Sequence, residues 1–338
     1  MPISFTNTYS KDSGEYRGSA DETCAFNPRA KMERSLSTSD VPRQYLKTCF
    51  LVGHVPLKAL ASDPRISYAL YIPPTHYSGN SNCIQLPLLI LVHGTERRWT
   101  AIYEEELVSY ADQTPCAILA PLFPAGLDGP NDLDSYKKLR SPSLRSDQAL
   151  LSILDEIAPR WPEIRTDKIF MMGFSGGGQF AQRFLYLYPE RLAAVSVGAP
   201  GRVTMLDFSQ KWPIGVADTG TLFGRPVDLN HIQQVAIQIV VGSEDNWIHG
   251  GKEFWIWLQQ YRNKAENQQG PGALNTMGQG RLQTSEDLYN AWKKHGIDSQ
   301  LKIVQGISHE AERARKHMLQ FLEPLIRARF QGEGRANK

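Results

Sequence analysis

Short, unbroken apolar runs recur along the chain, separated by stretches whose apolar positions repeat at helical spacing. The runs at residues 86–94, 116–121, 168–174, 192–198 and 235–242 lack polar alternation, the pattern of strands buried on both faces of a parallel sheet. A further strand is expected over 300–305. Two earlier runs, at 49–55 and 66–72, predict neighbouring antiparallel strands, the second stopping at Pro73-Pro74. Helical spacing predicts helices over 100–112, over 143–159, from Ser175 through Tyr188, around 254–258, over 284–295 and over 310–329. Ser143 is expected to cap the second of these, and Pro189 stops the third. Met318, Phe321, Leu322 and Leu325 would supply the packing face of the last.

This alternation of strand and helix predicts an α/β fold, a mostly parallel central sheet with helices on both faces. In such sheets, sites gather beyond the carboxyl ends of the strands. Residues 1–40 are polar with few periodic apolar positions and read as a poorly ordered N-terminal arm. Residues 48–328 read as a single domain. Within it, 201–234 would form a small insertion over the site, and the glycine-rich 263–280 a mobile loop. The chain of 338 residues, 41% hydrophobic and 21% charged, is long enough to bury one large core.

Charge narrows the partners. Formal net charge is +2, and basic residues form only short pairs such as Arg97-Arg98 and Lys137-Lys138, so no nucleic-acid footprint is visible. Cys24, Cys49, Cys83 and Cys116 are far apart and have no zinc spacing, so no metal is expected. No run of 18 apolar residues suggests a membrane span, and the first residues lack a charged segment followed by an apolar core. A cytoplasmic protein is expected. Gly176-Gly177-Gly178 lacks the lysine of a phosphate-binding loop and the dinucleotide spacing, so no cofactor is expected.

One stretch carries candidate chemistry. Gly173-Phe174-Ser175-Gly176-Gly177 stands between the apolar run 168–172 and a helical pattern, and reads as strand, sharp turn, helix. Glycines two residues either side of a serine let backbone segments approach closely and present the hydroxyl at the strand's end. A serine nucleophile needs a base, and the base an acid that fixes its tautomer. Asp245 lies in a turn just past the run 235–242, with Glu244 the adjacent rival. Of His249, His295, His309 and His317, only His309 directly follows a strand. Trp99, Tyr103, Phe174 and Trp247 fall near predicted strand ends and could line an apolar pocket.

The order Ser175, Asp245, His309 on this scaffold resembles the α/β-hydrolase superfamily over about residues 48–328. Gly173–Phe180 together with Tyr188–Ala194 looks most like esterases and small polyester-depolymerase-like serine hydrolases. The resemblance implies an oxyanion hole made by the backbone N–H groups of Gly176 and of Thr95, which follows His93-Gly94, with His93 as a support for its loop. It further implies cleavage of an ester, thioester or lactone on a small-molecule acyl substrate, with a secondary-metabolite pathway as one setting in which such hydrolases occur. The other reading is a non-hydrolytic use of the same fold, in acyl transfer, cyclisation or ligand binding. The acyl group and oligomeric state are not legible in the sequence.

Overall fold

The computed structural model describes residues 36–78, 85–246 and 280–336, with side chains to Gln331. Its strands are β1 (Gly53–Leu60), β2 (Asp63–Ile72), β3 (Leu88–Val92), β4 (Ala117–Leu122), β5 (Ile169–Phe174), β6 (Leu192–Gly198), β7 (Ala236–Gly242) and β8 (Gln300–Val304). Its helices are α1 (Glu105–Gln113), α2 (Ser146–Ile157), α3 (Gly176–Leu187), α4 (Thr219–Phe223), α5 (Leu229–Ile232), α6 (Arg281–Lys294) and α7 (Ala311–Ala336). The strands form one sheet in the order β1-β2-β4-β3-β5-β6-β7-β8. β1 and β2 pair antiparallel, as do β2 and β4, and all other pairs are parallel.

The apolar runs are unbroken because both faces of the sheet are covered. In β3, Leu88, Ile90 and Val92 face α2, α3 and α6, where Ile153, Phe180, Phe184 and Trp292 are buried. Leu89 faces the other way, into a layer with Leu107 of α1 and Met318, Leu322 and Ile326 of α7. β5 repeats the alternation, Ile169 and Met171 on the first face and Phe170 and Met172 on the second. Residues two apart along a strand share a face, so a strand between two helical layers needs apolar side chains at every position.

Three expectations are corrected. The first strand starts at Gly53, because Phe50 and Gly53 take positive φ, 54° and 73°, which breaks the extended run. Leu51 and Val52 are buried there as part of a turn, with the Leu51 N–H donating to Leu46 O at 2.9 Å. Ser143 does not cap α2: Arg145 holds that position, and Ser143 is drawn into the preceding loop. Its N–H donates to Asp128 Oδ1 (2.9 Å) and its hydroxyl to Leu127 O (3.0 Å).

Residues 36–40, expected within a loose arm, are pinned instead. Ser37 and Asp40 form a reciprocal cap, and Thr38 donates from its N–H to Arg160 O and from its hydroxyl to Glu163 Oε2. The expectations for residues 1–35, for the helix around 254–258 and for the loop to residue 279 lie outside the described residues. The segment 201–234 runs from β6 to β7 and docks on α3, where Gln182 exchanges bonds with Thr204 N–H and O. Trp212 Nε1 reaches Lys138 O, tying the same segment to the loop ahead of α2.

Candidate active site

The sharp turn between β5 and α3 is built from close backbone approaches. A Cβ on Gly173 would lie 2.3 Å from Gly177 O, one on Gly177 would lie 2.2 Å from Val92 O, and one on Gly178 would lie 2.4 Å from Gly198 O. Ser175 between them has φ 56° and ψ −112°, a conformation that costs a non-glycine residue about 1–3 kcal/mol. Its N–H donates to Gly198 O at 2.8 Å and its own carbonyl accepts from the Gln179 N–H at 3.1 Å, so the strain is held from both sides.

Asp245 and His309 come together past the ends of β7 and β8. His309 Nδ1 lies 2.7 Å from Asp245 Oδ2, and the Asp245 side chain is 1% exposed. Nδ1–H donates to the carboxylate, which leaves Nε2 as the ring's basic nitrogen. The rival Glu244 is exposed, its N–H spent on Ile307 O. The His309 ring packs on Phe174, the residue before Ser175, with centroids 4.7 Å apart. His295 caps the end of α6 and His317 lies within α7; His249 lies outside the described residues.

The turn after β3 lies against the elbow. A Cβ on Gly94 would meet Phe174 O at 3.5 Å and Ser175 Cβ at 4.0 Å, and one on Gly176 would meet Thr95 Oγ1 at 3.1 Å. His93 fastens this turn. The Phe123 N–H donates to its Nε2 at 3.0 Å, so Nδ1 carries the proton and donates to Gly94 O at 2.8 Å. Tyr136 donates to His93 O at 3.0 Å.

Burial pushes the His93 imidazole down to about 4 from its ordinary 6.5. The unfolded chain therefore takes up a proton at this position below about pH 6.5 that the folded chain refuses until about pH 4. Stability contributed by neutral His93 is full above that window and falls as pH drops through it, by about 3 kcal/mol in total. In denaturant melts, the stability gap between wild type and His93→Gln should shrink by that amount between pH 6.5 and 4. A gap constant with pH would remove the buried imidazole from the account of acid lability.

Sequence reasoning did not find several neighbours. Arg281, the first residue of α6, donates from Nη1 to Asp245 Oδ1 at 3.4 Å, and both side chains are buried. Tyr136 and Lys137, in a helical turn of the loop ahead of α2, occupy the space a side chain at 176 would take. Nothing in the local pattern of either segment signals these contacts, since both arise from chain crossings. Of the pocket aromatics, Phe174 stands at the elbow, whereas Tyr103 donates its hydroxyl to Val55 O at 2.5 Å and pairs with Trp99 and His54. Trp247 lies outside the described residues. Among the described residues no cluster of His, Cys, Asp and Glu has the makings of a metal site, and no helix is long and apolar enough to cross a membrane.

No protein-family model and no curated protein sequence matches the chain. Solved structures do. Poly(aspartic acid) hydrolase-1 from Sphingomonas sp. KT-1 superposes with a TM-score of 0.55 at 19% identity, over 75% of this chain and 92% of that one. A poly(3-hydroxybutyrate) depolymerase from Bordetella parapertussis gives 0.52 at 18% identity, over 75% and 82%. An S-formylglutathione hydrolase from Agrobacterium tumefaciens gives 0.50 at 14% identity, over 81% and 99%. At these identities the likeness is one of fold, and with the sheet order above it makes this an α/β-hydrolase fold.

Proposed function

We propose that the protein is a serine hydrolase that cleaves a carboxylic ester, thioester or lactone through an acyl-enzyme intermediate. Ser175 Oγ attacks the carbonyl carbon while His309 Nε2 takes the hydroxyl proton, and Asp245 holds the imidazole in the tautomer that leaves Nε2 basic. The carbonyl oxygen, now anionic, is taken up by the N–H groups of Gly176 and Thr95. His309 returns the proton to the leaving oxygen or sulfur as the tetrahedral species collapses. Water then attacks the acyl-enzyme by the same route, with the proton passing through His309 to Ser175.

A single coincidence carries this reading. Among the described residues, the one serine held at positive φ sits on a strand-to-helix turn, and beside that turn lies an imidazole whose Nδ1 is bonded to a buried carboxylate. A structural turn needs neither the strain at Ser175 nor a buried acid beneath a partly exposed histidine. The neighbours named above as hydrolases and a depolymerase agree with it.

The direct test is labelling by a fluorophosphonate probe, read by mass spectrometry of the modified peptide. Ser175 of the folded protein is expected to label, and His309→Ala to slow labelling about a hundredfold or more, since general-base assistance is worth at least that. No labelling of folded wild type would overturn the serine mechanism and leave the fold serving a non-hydrolytic role.

A further inference from the structure

Several basic side chains lie along α3 and in the loops beside its first turn. Lys137 is buried, its Cε 2.8 Å from where a Cβ on Gly176 would stand, and its ammonium is bonded to Asp134 Oδ1 at 2.5 Å. Arg202 lies 3.7 Å from the other oxygen of Asp134, with its side chain 39% exposed. It follows Gly201, where a Cβ would be 3.5 Å from Gln179 Nε2, one turn along from Ser175. Two further guanidinium groups belong to this group. Arg97 donates to the carbonyls of Thr95, Phe123 and Leu133, and Arg183 to those of Lys137 and Arg202 and to Thr204 Oγ1.

Charge does not balance here. Among the described residues the ion-pair partner of this group is Asp134, one carboxylate shared by Lys137 and Arg202, while Arg97 and Arg183 rest on neutral acceptors. Burial holds the Lys137 ammonium below its usual range against the pull of Asp134, with Arg97 and Arg202 adding smaller pushes in the same downward direction. Positive charge of this kind, with Lys137 and Arg183 buried and one carboxylate to answer the group, favours an anion that comes to meet it.

We propose that the substrate carries a carboxylate on its acyl part, taken up by Arg202 and the field of Lys137 at the first turn of α3. This rests on the serine-hydrolase reading and names its substrate class. Arg202 is the accessible arm and can turn from Asp134 to a planar carboxylate in a two-point contact. Lys137 stays in place, its field acting through the protein interior rather than through water.

The test compares kcat/KM for p-nitrophenyl hydrogen adipate with that for the neutral p-nitrophenyl heptanoate, using the full chain. Wild type is expected to prefer the anionic ester by about tenfold or more at low salt, the scale of one charge-assisted hydrogen bond. That ratio should decline as salt is added, fall towards one in Arg202→Gln, be largely kept in Arg202→Lys and rise in Asp134→Asn, which removes the competing anion. Turnover of the heptanoate with no preference for the adipate, or a preference indifferent to Arg202→Gln, overturns the inference alone. Turnover of neither ester, with no fluorophosphonate labelling, overturns the hydrolase reading and this inference with it.

Discussion

Ser175→Ala is expected to lower kcat for a p-nitrophenyl ester by about five to six orders of magnitude without loss of fold, because in the proposed mechanism attack through the hydroxyl is the step that all the other groups serve. The side chain adds nothing to the turn's geometry: the strain is fixed by the Ser175 N–H on Gly198 O and by the glycines around it, and both survive the substitution. Asp245→Asn should cost about four orders of magnitude. Its amide would offer an N–H or a neutral oxygen to His309 Nδ1 where a carboxylate now sits at 2.7 Å, and the imidazole would lose both its preferred tautomer and the stabilisation of its cationic form. The amide oxygen of that variant could still accept from Arg281, so the loss reports the tautomer rather than the loop.

In the proposed mechanism nucleophile, base and acid act as a unit, so Ser175→Ala and His309→Ala combined should cost little more than either alone. Steady-state kinetics on purified variants, with circular dichroism to establish folding, decides it. A folded Ser175→Ala that keeps even a tenth of wild-type turnover would refute the assignment, as would full additivity of the pair.

The sheet was legible in the sequence because its central strands are buried on both faces, which leaves a run with no polar alternation, as in Leu88–Val92. The candidate nucleophile was legible because close backbone contact leaves glycines in the written sequence. The bonded pair Asp245 and His309 could be proposed through their place just after a strand, where parallel sheets gather their sites. Contacts between distant segments leave no such trace. Arg281 reaches Asp245, 36 positions earlier, and Lys137 fills the space over Gly176, both set by how loops cross above the sheet. Ser143 misled because a serine before an apolar helix caps it only when no nearer partner competes. Here Asp128 and Leu127 O hold it in the loop.

Gly177→Ala is expected to cost about 3 kcal/mol of stability or more, a thermal midpoint lowered by roughly 6 °C or more, or no soluble protein at all. The new methyl would stand 2.2 Å from Val92 O and 2.9 Å from His93 O. Neither oxygen belongs to a side chain that can swing away. Val92 ends β3, which is paired on one side with β4 and on the other with β5, so relief requires the strand end to part from the elbow. Any such parting also carries off the turn bearing Thr95, and with it one proposed oxyanion donor. Gly176→Ala makes the contrast: its methyl would meet Tyr136 Oη at 2.5 Å and Lys137 Cε at 2.8 Å, atoms of side chains rather than of backbone, so relief does not require a strand end to move. That variant should fold, with a midpoint depressed far less than that of Gly177→Ala. Thermal unfolding of the two side by side is the measurement, and a Gly177→Ala protein as stable as Gly176→Ala would show that the elbow is not locked to β3 by backbone contact.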